Sequence, residues 1–435
     1  MVDLFKRWRI EVEDWLRYQP RVRRAMCRCK LWFTGRPEVG NTQAAARTIA
    51  KLCAAARLTD NDNLERRIQD RIVALIGQLN AGRLDWTEFV PDFADPRLHK
   101  AAILKPYVGP REKGVLFISF ETLWIRLLRP VNYRELAERY TVVVAPSSSP
   151  PHVLINYAFP AIFSGPVFTL ISNPKDVEEF PRMSPNFVVV PLYASSWVNP
   201  DLFKPLSKAE RKWDLLMVAN FAKVKRHHAL LSAMRFMPKD TRILLIGQDQ
   251  DGRTAETIRA LARGYGVADR FTLLGHQSYE AITKHYCEAR SSVVLSRREG
   301  SCVAIAESLF ADAPAAMLKD ASIGSRVFIN EQTGRFLDEQ NLGRDLTDFV
   351  QNADRHQPRV WAEANISCFR STQTLNDLLK QKSLERGDEW TLDIAPLQWS
   401  PDPTLVRPED RARLAGEWAD IVARFGLEIG PPPVQ

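Results

Sequence analysis

Two glutamates, Glu299 and Glu307, have seven residues between them in "SRREGSCVAIAES", residues 296–308. The segment follows "VVL", residues 293–295, an apolar run typical of a buried strand, and continues as a helical pattern from about Cys302. A strand followed at once by a helix places the intervening corner at the carboxyl edge of a parallel sheet. Doubly wound folds bind their ligands at that edge.

The start of the predicted helix suits an anion. The first amides, from Ser301 to Val303, have no partner inside the helix, and the helix dipole makes this end partly positive. Gly300 allows a phosphate or diphosphate to approach the backbone. Because like charges repel, we expect Glu299 to bind hydroxyls beside the anion and Glu307 to reach a second pair of hydroxyls. An anion between two polyols describes a sugar nucleotide. The alternative is that Glu299 is an ordinary helix-start acid and Glu307 a solvated helix residue.

The rest of the chain predicts an α/β fold. Short apolar runs alternate with helical patterns from Gly114 onward, and a second such series follows the proline-marked connector 197–212. Apolar runs of this kind suit parallel strands covered on both faces. We therefore predict two Rossmann-like, doubly wound domains with an extra helical N-terminal region and C-terminal helices. The predicted ranges are 1–110 (helical, basic), 111–205 and 206–375 (the two Rossmann-like domains) and 376–435 (a tail whose helix crosses back).

The composition is that of an ordinary globular protein. The chain has 435 residues, of which 45% are hydrophobic and 26% are charged. It contains no run of 18 apolar residues, and its first thirty residues lack the apolar core of a signal peptide. Its six cysteines have neither disulfide-framework nor zinc-site spacing. We therefore expect a cytoplasmic protein.

The N-terminal region is basic and amphipathic. Residues 1–51 carry twelve Lys or Arg against five Asp or Glu. Leu4, Trp8 and Trp15 recur at helical spacing, with arginines on the opposite face. Two interpretations stay open: a helix packed on its own domain with a solvated basic face, or peripheral contact with an anionic membrane through residues 1–20, at its inner face. No nucleic-acid-binding module surrounds these residues, so we expect no nucleic-acid partner.

Several segments carry a resemblance to a known family. "EGSCVAIAES", followed by "LFADAPAAML", resembles the Glu-x7-Glu signature of retaining glycosyltransferases of family 4 (glycosyl transferases group 1), which have the GT-B fold. "LLMVANFAKVKRHHALLSAM" resembles that family's strand, loop and helix with a phosphate-binding lysine. "RILLIGQDQDG", "RFTLLGHQSYEAITKHYCEA", "TGRFLDEQN" and "VNPDLFKPL" resemble further units in the same order. The resemblance extends from about Asn186 to Leu346.

The resemblance implies roles for individual residues. Glu299 and Lys225 would be catalytic, with Glu299 on the hydroxyls of the transferred sugar. Glu307 would bind the ribose of the nucleotide. Range 111–205 would be the acceptor domain and 206–375 the donor domain. The other donor-binding residues would be Gly300, Ser301, Cys302 and Val303 with Lys225 at the diphosphate, Asn220 and Arg226 beside it, and Gln248 and His276 near the base.

The resemblance also implies a reaction: a retaining, metal-independent transfer of a sugar from a nucleoside diphosphate sugar, with no further cofactor. The acceptor would be a glycan or a lipid-linked molecule of surface polysaccharide or glycolipid biosynthesis. The Asp-Gln-Asp at 249–251 lacks the later ligands of a calcium loop, so no metal site is predicted. The alternatives are a catalytically degenerate GT-B protein that only binds nucleotide sugar, and a GT-B sugar-nucleotide epimerase.

The chain departs from the family pattern at several positions. Asn220 stands where the family usually has an arginine, so Arg226 or Lys223 would have to supply that charge. Asp312 stands in place of a glycine after the signature helix. In the first half, "FISFETLW" replaces a glycine-rich loop, and His152 is expected to be an ordinary loop histidine. The sequence therefore predicts less about the acceptor site, which the first half would carry, than about the donor site.

Overall fold

A computed structural model describes residues 2–35, 40–79, 84–163, 165–400 and 402–430 of the chain. The described residues form two compact units. Unit A comprises Gln19–Trp197 and the described residues from Cys368 onward. Unit B comprises the described residues up to Tyr18, together with Val198–Ser367. Met1 and residues 431–435, which the predicted end ranges include, lie outside the described residues.

Helices and strands alternate along most of the described chain. The α-helices are α1 Val2–Tyr18, α2 Pro20–Trp32, α3 Thr42–Ala56, α4 Asp62–Ile76, α5 Glu121–Trp124, α6 Tyr133–Arg139, α7 Leu154–Ile162, α8 Asp176–Met183, α9 His227–Ala233, α10 Ala255–Tyr265, α11 Tyr279–Cys287, α12 Val303–Phe310, α13 Leu342–Gln351, α14 Pro358–Asn365, α15 Cys368–Glu385 and α16 Pro408–Phe425. The strands are β1 Arg97–Leu98, β2 Ala101–Lys105, β3 Gly114–Ser119, β4 Tyr140–Ala145, β5 Val167–Ile171, β6 Phe187–Tyr193, β7 Leu215–Val218, β8 Ile243–Ile246, β9 Thr272–Leu274, β10 Ser292–Val294, β11 Ala315–Leu318, β12 Gly334–Leu337, β13 Leu397–Gln398, β14 Thr404–Leu405 and β15 Glu428–Ile429.

Unit A is built on a five-stranded sheet of order β2-β3-β4-β5-β6. Strands β3 to β6 pair in parallel, and β2 adds an antiparallel edge. Every residue of β3 and β4 is buried, as expected for parallel strands covered on both faces. Helix α16 packs against β2, and Arg139 of α6 pairs with Asp420 of α16 at 2.7 Å.

Unit B is built on a six-stranded, all-parallel sheet of order β12-β11-β10-β7-β8-β9. The first strand along the chain, β7, lies in the middle, and the order runs outward from it in both directions. This is the doubly wound order, with its switch point between β7 and β10.

Helix α10 shows how local sequence sets the ends of an element: the Thr254 side chain accepts the amide of Thr257, and Gly266 ends the helix at a φ of 70°.

The units divide the chain differently from the predicted ranges. Helix α1 lies in unit B, where it packs on α10 and α9, and the rest of range 1–110 lies in unit A. That range also contains the strands β1 and β2, so it is not helical throughout. The segment "AAILK" of β2 has no alternating pattern, and it is a strand because pairing with β3 buries it completely. No helix among the described residues is both long and apolar enough to cross a bilayer.

Candidate functional site

The strand order of unit B brings two loops together. Strands β7 and β10 are neighbours in the sheet although β8 and β9 lie between them in the sequence. The loop after β7 carries Lys225, and the loop after β10 carries Glu299. Ligands of open parallel sheets bind outside the carboxyl ends of the strands at such a switch point. The two residues predicted to be catalytic therefore lie at this position.

Lys225 and Glu299 contact each other directly. The Nζ of Lys225 lies 2.6 Å from Oε2 of Glu299, and the side chains are 21% and 14% exposed. Burial lowers the pKa of Lys225, but the neighbouring Glu299 carboxylate outweighs it, so the pKa is raised and the amine stays charged. The second oxygen of Glu299, Oε1, is buried without a hydrogen-bond partner in the described ranges. That oxygen can accept a hydrogen bond from a ligand hydroxyl.

Residues Gly300 to Val303 make the turn from this loop into α12. The amide of Gly324 donates to the carbonyl of Gly300 at 2.9 Å, which fixes the turn against the following loop. Cys302, the residue before the helix, is buried, and burial raises the pKa of its thiol to about 12. The thiol is therefore neutral at physiological pH. Helix α12 begins at Val303 with Cys302 as its N-cap, so its first amides form a partly positive end at the same sheet edge as the loop carrying Lys225.

Glu307 is fixed inside the unit. It lies in the second turn of α12 and is 5% exposed, so it is not the solvated residue of the alternative interpretation. Tyr286 of α11 contacts it, and the pKa of this tyrosine is raised well above its ordinary value by burial and by the Glu307 carboxylate. The contact holds the carboxylate in one position.

Gln248 and His276 meet at the same edge. Gln248 follows β8 and His276 follows β9, and both are exposed. The Nδ1 of His276 lies 3.1 Å from Oε1 of Gln248. The structure thus brings together the two residues that were predicted to lie near the nucleobase. The imidazole ring of one and the amide of the other can contact a ligand there.

Lys223 and Arg226 are paired with carboxylates. The Nζ of Lys223 lies 2.6 Å from Oε2 of Glu13, and the guanidinium of Arg226 lies 2.8 Å from Asp14 and 2.6 Å from Glu339. Arg226 is 3% exposed. Both cations are thus paired within unit B, and the donor-binding role predicted for Arg226 stays a prediction. Sequence reasoning missed these carboxylates because the two in α1 precede their partners by more than 200 positions, and no local pattern connects them.

The departures from the family pattern have structural counterparts. Asp312 has a φ of 55°, the left-handed region that favours glycine, and so does Arg226. The carboxylate of Asp312 lies 3.1 Å from Arg211, which also donates to the Asp312 carbonyl at 2.7 Å. Asn220 accepts the amide of Ala222 at 3.3 Å, so it shapes the loop after β7 without adding charge.

In unit A, the carboxyl edge of the sheet is occupied by internal hydrogen bonds. Glu121 accepts the amide and the hydroxyl of Ser147 at 3.2 and 2.7 Å. His152 is fully buried, with Nδ1 2.8 Å from the hydroxyl of Tyr157 and Nε2 2.8 Å from Glu65. His152 therefore lies in a loop, as expected, but it is buried and stabilises the interior of unit A.

Part of the chain matches a known protein family. Residues 198–364 match the family described as Glycosyl transferases group 1. A search of curated proteins finds no match. Sucrose-phosphate synthase from Thermosynechococcus elongatus is similar in structure, with a TM-score of 0.50 and 17% identity over 70% of this chain and 80% of that one. HepE from Anabaena, in complex with UDP and glucose, has a TM-score of 0.49 and 13% identity over 61% of this chain and 77% of that one.

The family match covers most of unit B, and the similarity to the synthase is one of fold. Together with the doubly wound sheet and the loops at its switch point, these findings confirm two parts of the prediction made from the sequence motifs, the similarity to glycosyl transferases group 1 and the GT-B fold. The chain has the GT-B fold, and its residues 198–364 match the family described as Glycosyl transferases group 1.

Proposed function

We propose that the protein is a retaining, metal-independent glycosyltransferase that takes its sugar from a nucleoside diphosphate sugar. The observation that carries this proposal is the contact between Lys225 and Glu299 at the switch point, beside the start of α12. A partly buried ammonium and a helix N-terminus suit a diphosphate, and a carboxylate with an unpaired oxygen suits sugar hydroxyls. Glu307 would bind the ribose, and Gln248 with His276 would lie beside the base.

In the proposed reaction these groups act as follows. The bond between the anomeric carbon and the diphosphate breaks, and a bond to the acceptor oxygen forms on the same face of the sugar. The proton of the acceptor hydroxyl passes to an oxygen of the leaving diphosphate. Lys225 and the amides of α12 stabilise the negative charge that develops on the leaving group, which is the task a divalent ion performs in other transferases. The products are the nucleoside diphosphate and the new glycoside.

Nucleotide binding tests this proposal without knowledge of the acceptor. The melting temperature is measured with UDP, GDP, ADP, TDP and CMP, each with EDTA present. A ligand at one hundred times its dissociation constant stabilises the fold by about 2.7 kcal/mol. We expect one nucleotide to raise the melting temperature. The Lys225→Met variant should bind it roughly ten- to hundredfold more weakly, because a charged hydrogen bond is lost, whereas Lys239→Met, at an exposed position, should bind normally. No stabilisation by any nucleotide would contradict the proposal.

One observation favours a second candidate, a GT-B protein that binds nucleotide sugar without transfer. Asn220 adds no charge, and Arg226 and Lys223 are held by carboxylates, so Lys225 is left as the cation of this loop that contacts Glu299. Product analysis separates the candidates. Sugar transfer supports the main proposal, an epimerised donor supports an epimerase, and nucleotide binding with no turnover of any donor supports the binding protein.

We also propose that the acceptor is a glycan or lipid-linked molecule, reached through peripheral contact of α1 with an anionic membrane at its cytoplasmic face. Charged side chains of α1 contact the rest of unit B, while Trp8 and Trp15 are 61% and 59% exposed. Lys6, Arg9 and Arg17 are exposed as well. Exposed tryptophans flanked by cations suit the interface of a membrane.

Vesicle co-sedimentation tests the membrane contact. We expect the protein to sediment with phosphatidylglycerol vesicles and much less with phosphatidylcholine vesicles. A Trp8→Glu, Trp15→Glu double variant should stay in solution, whereas Phe236→Glu, at a 71% exposed position of unit B outside α1, should still sediment. If the wild-type protein sediments with neither vesicle, the contact does not exist.

A further inference from the structure

Arg226 occupies a strained backbone position in the loop that carries Lys225. Its φ of 55° and ψ of 42° lie in the left-handed region, which disfavours residues with a Cβ. The residue ends the short helical turn Lys223–Lys225 and directly precedes α9. A change of backbone conformation here would redirect Lys225, the adjacent residue. Something must therefore hold Arg226 in this conformation.

The side chain of Arg226 is held from two directions. Its Nε and Nη2 donate to Asp14 of α1 at 3.0 and 2.8 Å, and its Nη2 also donates to Glu339 at 2.6 Å. Its Nη1 lies 3.4 Å from the carbonyl of Leu295, at the end of the strand before Glu299. The guanidinium thus connects α1 with both loops of the candidate site.

Asp14 is present there as a charged group. Burial alone would raise its pKa, but the neighbouring His228 and Arg226 hold the pKa well below its ordinary value. The side chain of Asp14 is 12% exposed and that of Arg226 is 3% exposed, so solvent screens this pair little. A buried ion pair is costly to break because the remaining charge has no partner.

Helix α1 makes two further contacts through its carboxylates, one an ion pair and one a hydrogen bond. Glu13 pairs with Lys223 at 2.6 Å, at the other end of the turn that carries Lys225. Glu11 accepts the hydroxyl of Tyr265 of α10 at 2.7 Å, which anchors the helix away from the loop. The acidic face of α1 thus contacts the residues on both sides of Lys225.

We propose that Asp14 is a positioning residue of the nucleotide site: through Arg226 it holds the loop after β7 so that Lys225 meets Glu299. Helix α1 is then part of the donor-binding machinery although it lies some 200 positions away in the sequence. This inference rests on the proposed function for its link to nucleotide binding, but not for its structural content.

A rescue experiment on the full-length chain tests the inference. Asp14→Asn keeps the shape of the side chain and removes its charge, so the strained conformation loses its main partner. We expect hydrogen exchange of the amides of residues 219–226 to rise about five- to thirtyfold, and affinity for the nucleotide found in the melting screen to fall by a similar factor. Asp240→Asn, at an exposed position of the same unit, should change neither quantity.

The double variant Asp14→Asn, Arg226→Gly distinguishes positioning from general stability. Glycine adopts the left-handed conformation without strain, and Glu339 keeps its ion pair with Arg297 at 2.7 Å. We expect this variant to recover slow exchange in the loop and most of the nucleotide affinity lost in Asp14→Asn. A purely structural role of Asp14 would leave the double variant as impaired as the single one, or worse.

Two results would overturn the inference: Asp14→Asn with wild-type exchange in the loop, or a double variant that shows no recovery. Exchange is measured without nucleotide. If the wild-type protein bound none of the nucleotides, that result would therefore count against the proposed function alone, and the exchange pattern of the variants would still decide the role of Asp14.

Discussion

Replacing Glu299 by glutamine tests the geometry of the candidate site most directly. In the structure Oε2 of Glu299 contacts the Nζ of Lys225 at 2.6 Å. A phosphate oxygen bound to the same amine would lie about 5 Å from the carboxylate, which is roughly two hydrogen-bond lengths. Two negative charges would then share one ammonium. The carboxylate must therefore oppose diphosphate binding while it serves the sugar.

The size of this opposition follows from Coulomb's law. Two unit charges 5 Å apart interact by about 1 to 3 kcal/mol when the effective dielectric constant lies between that of water and that near a protein surface. Glu299→Gln removes this repulsion and keeps a side chain of the same shape. We therefore expect the variant to bind the nucleoside diphosphate roughly five- to hundredfold more tightly than the wild-type protein. Sugar transfer should fall by about two to three orders of magnitude, because the charge that interacts with the reacting sugar is gone.

Isothermal titration calorimetry at low ionic strength measures the affinity, and release of nucleoside diphosphate from the donor measures the activity. Glu331→Gln removes a carboxylate at an exposed position of the same unit and should change neither quantity. Weaker nucleotide binding in Glu299→Gln would refute the reasoning, because it would mean that the carboxylate supports Lys225 and does not compete for it. Full transfer activity in this variant would remove Glu299 from the reaction.

Three further predictions concern stability. A Cβ at Gly334 would lie 1.8 Å from a carbonyl oxygen of the neighbouring strand, so Gly334→Ala should unfold or strongly destabilise unit B. Gly416 is in an open position of α16, so Gly416→Ala should stabilise the protein slightly. Thermal melts compare the two variants. Asp312→Ala should cost about 1 to 3 kcal/mol in urea unfolding because a left-handed residue loses its bond to Arg211, and Asp312→Gly should cost less. Burial raises the pKa of Asp176 to about 7, so wild-type stability relative to Asp176→Asn should be greatest below pH 4 and fall as the pH rises to 7, by at most about 4 kcal/mol. A pH-independent difference between these two proteins would show that the carboxyl group titrates normally.

The parts of the fold that local sequence determines were predictable. The apolar runs of β3, β7 and β10 are strands because their side chains are buried on both faces, and this leaves a signature within a few residues. The position of Glu299 at the edge of the sheet was predictable for the same reason, since it lies a few residues after such a run. Strand β2 was not predicted, because its five residues are a strand only through pairing with β3.

The ion pairs around Lys225 could not be predicted from local patterns. In the sequence, the acidic residues of α1 only lower the net positive charge of that helix. The fold shows that two of them, Glu13 and Asp14, contact the loop after β7. The same contacts show what sequence reasoning did not foresee for Arg226: its guanidinium is bound by two carboxylates, Asp14 and Glu339. Its donor-binding role stays a prediction. Charge in a sequence indicates a possible partner, but pairing over 200 positions depends on the tertiary fold.

The missing glycine after α12 bears on whether the enzyme is degenerate. A glycine at position 312 would allow the left-handed backbone without cost. From the sequence alone, its replacement by aspartate suggests that the turn after α12 has lost its shape. The structure keeps the left-handed conformation at Asp312 and adds a hydrogen-bonded ion pair to Arg211, which offsets the strain. The turn therefore retains its shape although the residue has changed. The replacement of this glycine alone is no argument for the loss of transfer activity, and the decision between transferase and binding protein depends on the chemistry at Lys225 and Glu299.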